Sequence, residues 1–513
     1  MSIRTNSTGW TRDVRLALPS LSDNTADADR VIGELKKQLD AEAVDIDLHV
    51  LKVLPGILRD FNYHVRCVLF KDRKKWILTG ITPADDSMPV LGLAVDLGTT
   101  RVVIRIVDLR SKKVLAESAF DNPQIPVGPD ILARVHFASQ DAGLIKLNQL
   151  IIDELNQKTS GLCNENGYNP HDIYLVSVAG NTSMTHFFMG LDPRWIIKEP
   201  YIPIVNRPGN VKAHDLGINV NPGARVLIFP NIGSYFGGDV VAGILYSGMH
   251  MSQDPAILVD VGTNAEVVLG NKEWLIGCAG AAGPALEGGV TSMGMMAGPG
   301  VIDSIDIEPE THEFKIHTIE DDMPKGICGS GLIDLAAKFF LSGMIDFRGK
   351  FVPKVCGDRL KDKDGTSGLV IIPSEASATG KDLMIGQAEL DSLIRSKAAM
   401  YTILETISSS VSMALKDFST FYVAGTFGSF INPKSAIALG MLPDLPLDSY
   451  QSLGNSSLGG ATLALTSCES ADAIDRIRDN ITYLELNVNQ EFMNRFSAAK
   501  FLPHTDPSIF PSV

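Results

Sequence analysis

The sequence predicts an α/β protein made of two similar lobes, preceded by a small α/β module. Three observations carry that expectation. An apolar run ending in D-x-G-T and followed by a second apolar run occurs twice, at Asp96 in VLGLAVDLGTTRVVIRIVDL (90–109) and at Asp260 in PAILVDVGTNAEVVLG (255–270). The two aspartates stand 164 residues apart (260 − 96), far too long a period for a solenoid repeat. From residue 90 onward strand and helix patterns alternate, as they do in α/β folds. One such turn alone is an ordinary β-hairpin, since Asp and Gly are common turn residues. Two copies, each between apolar strands, predict two lobes that each present one hairpin to a shared cleft.

After a tail at 1–13, residues 14–88 read as the small module. RDVRLALP (12–19) alternates like a strand, and NTADADRVIGELKKQL (24–39) has a cap signal followed by helical periodicity. HVLKVLPGILRDF (49–61) is apolar and helix-like, with Pro55 placed to bend or interrupt it. YHVRCVLF and KKWILTGI form a predicted hairpin across the charged turn KDRK, and TPADDSMP (82–89) reads as a linker.

The first lobe, 89–252, should hold three strands around 91–120 and a long helix near 141–158. A strand, DIYLVSVAG, ends at Gly180, Asn181 and Thr182, and GGDVVAGILYSG (237–248) is a crossover helix. The second lobe, 253–513, opens with the hairpin at Asp260 and has a long helix near 386–416. FYVAGTFGSFINPKSAIALG (421–440) then reads as strand, glycine turn and helix. GNSSLGGATLAL is a small-residue helix, and ITYLELN a closing strand or helix.

With 513 residues, 45% hydrophobic and 20% charged, the composition is that of a globular protein. No apolar run approaches the roughly 20 residues that cross a bilayer. The polar start MSIRTNSTGWTRDV has no signal core, so a cytoplasmic location is expected. A net charge of −15 argues against nucleic acid as the main partner. Of the six cysteines (Cys67, Cys163, Cys278, Cys328, Cys356, Cys468) the closest two are 28 residues apart. No C-x-x-C, zinc or iron–sulfur spacing exists, and the thiols are expected to be reduced and buried.

In order, the chain carries D-x-G-T-T, a helix beginning near Asp239, D-x-G-T-N, VAGTFG and LGGA. This set resembles the actin, heat-shock chaperone and sugar-kinase superfamily of ATPases. The resemblance implies an actin-like fold with duplicated ribonuclease H-like lobes that hold Mg-ATP. Glycine lets backbone N–H groups approach phosphate, threonine adds donors, and carboxylates hold the hydration shell of Mg²⁺. No G-x-x-x-x-G-K-[ST] is present, which excludes a P-loop.

PSLSDNTADADR, NPQ…GPDILARVHFAS, GNTSMTHFFMGLDP, GAAGPALEGG, GICGSGLID, RSKAAM and YLELNVNQEFMNRF extend the match. Together they resemble the reductive activators of corrinoid proteins, over nearly the whole chain from about residue 14. The resemblance implies a protein that uses ATP to help drive an electron onto the cobalt of a corrinoid methyl-transfer protein. Cobalt(II) is thereby returned to cobalt(I). It also implies a low-potential iron–sulfur donor domain, often N-terminal, and a homodimer as an assembly to test. This chain lacks cluster-binding cysteines, so the cluster is expected on a missing domain or on a ferredoxin-like partner.

Asp96 and Asp260 are the expected Mg²⁺ carboxylates, largely through water. Gly98, Thr99, Thr100, Gly262, Thr263 and Asn264 are expected at the phosphates. Asp239 is placed as the water-orienting base, although an acidic helix start is also stabilising in its own right. Gly425, Thr426, Phe427 and Gly428 resemble the adenosine turn, and Lys397 could reach ribose or adenine or remain a solvated helix lysine. Gly329, Ser330 and Gly331 open a helix, suited to ligand contact or equally to close packing. Asn181 and Thr182 end a strand, where α/β sheets place ligands, or they cap the next helix. The Gly- and Met-rich stretch at 280–300, with Met293, Met295 and Met296, is either a partner surface or a core loop. His136 and His186 read as structural. The competing functions are a small-molecule kinase of the same fold and an ATP-gated binding module.

Overall fold

The computed structural model describes residues 9–262, 265–280, 291–308, 310–363, 365–425, 431–486 and 490–513. One unit comprises the chain up to Tyr246 together with Ser456–Asp479; the other comprises Ser247–Asn455 and Asn480–Val513.

In the first unit, β1 (Thr11–Arg15), α1 (Asp27–Leu39), β2 (Val44–Ile46), α2 (Leu48–Asp60), β3 (His64–Asp72) and β4 (Lys75–Pro83) form the N-terminal module. Its sheet runs β1-β3-β4-β2. Val31 and Leu35 of α1 are buried one turn apart, as are Val50, Leu54 and Leu58 of α2, the spacing that makes one apolar helix face. Pro55 lies inside α2, which continues through it. The module is tied to the rest of its unit by charge and by shape. The Arg225 guanidinium donates to both Asp47 oxygens at 2.6 and 2.8 Å, and the Trp10 indole donates to the Ala464 carbonyl at 3.0 Å. At Gly80 a Cβ would overlap the Tyr174 ring.

The main sheet of this unit contains β5 (Leu91–Leu97), β6 (Arg101–Asp108), β7 (Val114–Asp121), β8 (Ile173–Gly180), β9 (Val211–Lys212) and β10 (Arg225–Ile228), in the order β7-β6-β5-β8-β10-β9. Helices α3 (Ile131–Ala138), α4 (Gly143–Glu165), α5 (Thr182–Met189) and α6 (Gly238–Ser247) accompany it. β5 and β6 are antiparallel; β5 and β8 are parallel, as are β8 and β10. β8 is buried along its whole length, as a central strand covered on both faces must be.

The second unit opens with β11 (Ala256–Val261), β12 (Ala265–Gly270) and β13 (Leu275–Gly280). A three-stranded sheet follows, of β14 (Val301–Ile307), β15 (Phe314–Thr318) and β16 (Gly326–Ile327), with α7 (Gly329–Leu341) and α8 (Pro353–Cys356) after it. Then come a sheet of β17 (Leu360–Lys363), β18 (Thr366–Ile372) and β19 (Leu383–Gly386), and the long α9 (Gln387–Ser410). β20 (Thr420–Ala424), β21 (Tyr450–Gly454) and β22 (Ile481–Tyr483) complete its main sheet, ordered β21-β20-β11-β12-β13-β22, with α10 (Pro433–Ala438) between β20 and β21 in the chain.

Within the two main sheets, β7-β6-β5-β8-β10 and β13-β12-β11-β20-β21 have the same order: third, second, first, fourth, fifth. The duplication first visible as two D-x-G-T turns is thus a duplication of whole sheets. This is the actin-like α/β class that the motif set implied.

Chain order alone assigned GNSSLGGATLAL to the second lobe. Its helix α11 (Ser456–Thr466), with most of α12 (Cys468–Asn480), instead belongs to the first unit, where α11 packs on β5 and β8. Glycine makes that approach possible. A Cβ on Gly460 would run into the Ala242 backbone of α6, and one on Gly459 would lie 2.6 Å from the Tyr246 ring. No helix among the described residues is long and apolar enough to cross a membrane.

Candidate functional site

Asp96 is the penultimate residue of β5, in register with Val103 of β6 and Ala179 of β8. The turn beyond it needs glycine, because a Cβ on Gly98 would collide with the Arg101 carbonyl. Every carbonyl of this turn is held from below. Gly98 O accepts from the Asn122 side-chain amide at 2.9 Å, Thr99 O from Arg134 at 2.7 Å, and Thr100 O from the Asn122 backbone at 2.8 Å. In a trans peptide the N–H points opposite to the C=O, so the amides of Thr99 and Thr100 are turned the other way. Successive outward N–H groups form an anion-binding concavity.

Asn181 and Thr182 lie at the end of the neighbouring strand β8. Asn181 caps α5, its side-chain oxygen accepting from the Met184 amide at 3.0 Å, and its NH₂ also donates to the Thr99 hydroxyl at 3.0 Å. Of the two roles considered from sequence, capping is the one observed, and the same side chain also braces Thr99. Thr182 donates to the Gly233 carbonyl at 2.6 Å. Asp239 stands in the first turn of α6. A Cβ on Gly237 would lie 2.5 Å from Asn181 Cα, 2.8 Å from Thr182 N and 2.8 Å from Asp239 Oδ1, so that glycine lets the α6 start press against the β8 end. The first unit therefore gathers the 98–100 turn, Asn181, Thr182 and Asp239 at the carboxyl ends of β5 and β8, where α/β sheets hold ligands.

The second unit repeats the arrangement. Asp260, penultimate in β11, is in register with Glu266 of β12 and Ala424 of β20. Gly425 follows with φ +82°, and a Cβ there would lie 2.7 Å from the Val261 carbonyl and 2.9 Å from Asp260 Oδ1. Only glycine tolerates both that backbone and that approach. At Gly262 no atom of the described residues lies within 4 Å of where a side chain would start. Thr263, Asn264, Thr426, Phe427 and Gly428 lie outside the described residues, as does 281–290 of the Gly-rich stretch.

Other candidates are placed differently. At the start of α7, Ser330 is buried with its hydroxyl 3.1 Å from the Cys328 thiol, and a Cβ on Gly331 would lie 2.5 Å from Ile302 O. Close packing is what these residues show. Lys397, considered for the ribose or adenine, is instead 1% exposed and donates to the carbonyls of Ala499, Phe501 and Pro503 at 2.6, 2.8 and 2.6 Å. All three ammonium protons are committed to the C-terminal segment.

All six cysteines are free and buried. Burial pushes the thiols of Cys163 and Cys468 up to about 11 and about 12, and raises those of Cys67, Cys278 and Cys356 as well. Metal-binding thiolates require the opposite environment. Among the described residues no group of three or more His, Cys, Asp or Glu side chains converges as a metal-ligand set.

Sequence reasoning missed Asn122, Gly237 and the role of Arg134. Asn122 and Arg134 lie in NPQ and GPDILARVHFAS, which marked the family resemblance without revealing what the residues do. In the first unit, the outward amides of the 98–100 turn form a concavity of the kind that receives anions.

Comparison with known proteins agrees with this geometry. Models of the linker region, the middle region and the C-terminal ASKHA domain of RACo match residues 2–87, 91–252 and 254–513. The corrinoid activation enzyme RamQ of Eubacterium limosum is 29% identical over 431 residues, covering 82% of this chain and 72% of that protein. A [Co(II) methylated amine-specific corrinoid protein] reductase of Methanosarcina barkeri is 24% identical over 441 residues, 79% of this chain and 75% of that one. A solved reductive activator for corrinoid, iron–sulfur protein superposes with a TM-score of 0.88 at 37% identity, covering 100% of this chain and 82% of the other.

Proposed function

Because the chain belongs to the RACo family, the reductive activators of corrinoid proteins, we propose that it binds Mg-ATP and couples binding and hydrolysis to the return of a partner's cobalt(II) to cobalt(I). The observation that carries this reading is the duplicated sheet, with Asp96 and Asp260 penultimate in the first strand of each copy.

Each residue then has a task. Asp96 and Asp260 hold the hydration shell of Mg²⁺, which prefers to keep its waters. The outward amides and hydroxyls of Thr99 and Thr100 receive phosphate oxygens, with Gly262 doing the same in the second turn. The turn that begins at Gly425 receives the adenosine. Asp239 orients the attacking water and takes its proton, giving ADP and phosphate. Mg-ATP supplies free energy, not the electron. That electron comes from a low-potential iron–sulfur domain or a ferredoxin-like protein, because clusters reach roughly −700 mV only with grouped thiolates.

Phosphate release from ATP by the purified chain should rise when a cobalt(II) corrinoid protein is added. Cobalt(I) should accumulate only when an iron–sulfur donor is present as well. Hydrolysis indifferent to the corrinoid protein but stimulated by a sugar or similar hydroxyl compound would replace this reading with a kinase.

A further inference from the structure

Three arginines are fully buried among the described residues: Arg66, Arg134 and Arg225. Arg66 is paired with Asp13 at 2.8 Å and Arg225 with Asp47 at 2.6 Å. Arg134 is different. Its Nε donates to Gly128 O at 2.8 Å, one terminal nitrogen to Gln124 Oε1 at 3.1 Å, and the other to Thr99 O at 2.7 Å. Its remaining polar contact is the Met184 sulfur at 3.3 Å. All of these partners are neutral. The acidic group that acts on it is Asp130, an exposed residue whose carboxylate is occupied in capping α3 through the Ala133 amide at 2.8 Å.

A buried charge without a counter-ion is costly and is normally neutralised or paired. Arginine cannot readily do the first. Burial pulls its pKa down to about 10, which still leaves it protonated at any physiological pH. With no counter-ion to Arg134 among the described residues, the balancing charge should arrive with a ligand. Arg134 sits directly under the turn whose carbonyls all point inward and whose Thr99 and Thr100 amides point outward.

We infer that Arg134 is a positioning residue for the nucleotide phosphates: it fixes the 98–100 turn through Thr99 O, and its unpaired charge favours polyanionic ligands. The inference rests on the nucleotide-binding reading above and deepens it. It assigns phosphate recognition in the first unit to a buried guanidinium, not only to backbone and hydroxyl groups. The electrostatic share of binding must then scale with ligand charge, since the interaction of a fixed charge grows with the charge it meets.

The test is a binding series of ATP, ADP, AMP and adenosine against the wild-type chain, Arg134→Gln and Arg134→Lys, by calorimetry at two salt concentrations. In Arg134→Gln the ATP affinity should fall at least tenfold and the ADP affinity less. Adenosine affinity should hold, and the salt dependence of ATP binding should flatten. Arg134→Lys keeps the charge but not the planar fork, so it should restore part of the ATP-over-adenosine preference. Equal weakening of all four ligands would make Arg134 merely structural and overturn the inference while leaving nucleotide binding intact. A wild-type chain that binds none of the four would overturn the underlying reading too. Should the variants fail to fold, inorganic tripolyphosphate decides on the wild type. It should raise the Tm at millimolar concentration without any adenosine, and no shift where ATP gives one would sink the proposal.

Discussion

The side-chain amide of Asn181 donates to the Thr99 hydroxyl over 3.0 Å while its oxygen accepts from the Met184 amide over the same distance. One side chain thus starts a helix and braces the first phosphate turn, and the two jobs can be separated. Asn181→Asp keeps the cap acceptor, and Asp is as good an N-cap as Asn. It loses the donor to Thr99 and adds a carboxylate beside the expected phosphates. Thermal stability should stay close to wild type while ATP affinity falls. Asn181→Ala should lose both, with about 0.5–2 kcal/mol of stability from the missing cap. An Asn181→Asp protein that binds ATP as wild type does would show that the Thr99 contact is incidental.

Asp260 offers the complementary test in the second unit. Asp260→Ala removes a turn carboxylate at a strand end, outside the apolar core. It should therefore retain the fold, while Mg²⁺-dependent hydrolysis drops by about tenfold or more, roughly 1.4 kcal/mol of barrier or greater. The measurement is phosphate release across a Mg²⁺ titration, with circular dichroism as the check on folding. Unchanged hydrolysis in a well-folded variant would remove Asp260 from the metal site.

Much of this fold was legible because its determinants are local. Apolar runs, D-x-G-T turns and the amphipathic faces of α1 and α2 depend on near neighbours in sequence. What stayed hidden depends on partners far along the chain. Small residues in GNSSLGGATLAL announced a close approach, but nothing local said that Gly460 meets Ala242, so the helix was assigned to the wrong unit. Lys397 looked like a helix-surface cation because its three carbonyl partners lie more than 100 residues away. Arg134 and Asn122 stood in recognisable motifs, yet their task shows only when the Gly98–Thr100 carbonyls are seen facing them.

Lys397 makes a further expectation concrete. Burial pulls its pKa down to about 7, while three carbonyl acceptors pull the other way, since only the charged ammonium has three N–H donors. Lys397→Met would leave three carbonyls without their donor, at about 1–3 kcal/mol for each buried group left unsatisfied. The expected result is a marked fall in stability, with the segment from Ala499 to Pro503 becoming sensitive to protease and to hydrogen exchange. ATP affinity of the protein that remains folded should be unchanged. A loss of nucleotide affinity without loss of C-terminal protection would return Lys397 to the nucleotide.

His186 couples the first unit to pH. It is fully buried in α5, with Nδ1 2.7 Å from Thr182 O and Nε2 3.2 Å from the Ile204 amide nitrogen. The Ile204 amide is a donor, so Nε2 accepts and the single ring proton sits on Nδ1. A second proton would set N–H against N–H. Burial lowers the His186 pKa below its ordinary 6.5, partly opposed by the Thr182 carbonyl and by Asp192. The sign follows from linkage: with a depressed folded value, the unfolded chain takes up the proton first. The stabilisation is therefore complete above about 6.5 and is lost as pH falls through that value towards the folded pKa. His504, lowered by burial and by Lys397, contributes in the same direction, so the comparison must be between variants. His186→Gln can still donate to Thr182 and accept from Ile204, but it does not titrate. Between pH 8 and 5 its stability should decline less steeply than that of wild type. Hydrogen exchange at the Ile204 amide, corrected for intrinsic rate, should accelerate at low pH in wild type alone. Parallel stability profiles, or Ile204 protection that ignores pH in both proteins, would show that the buried imidazole carries no titration.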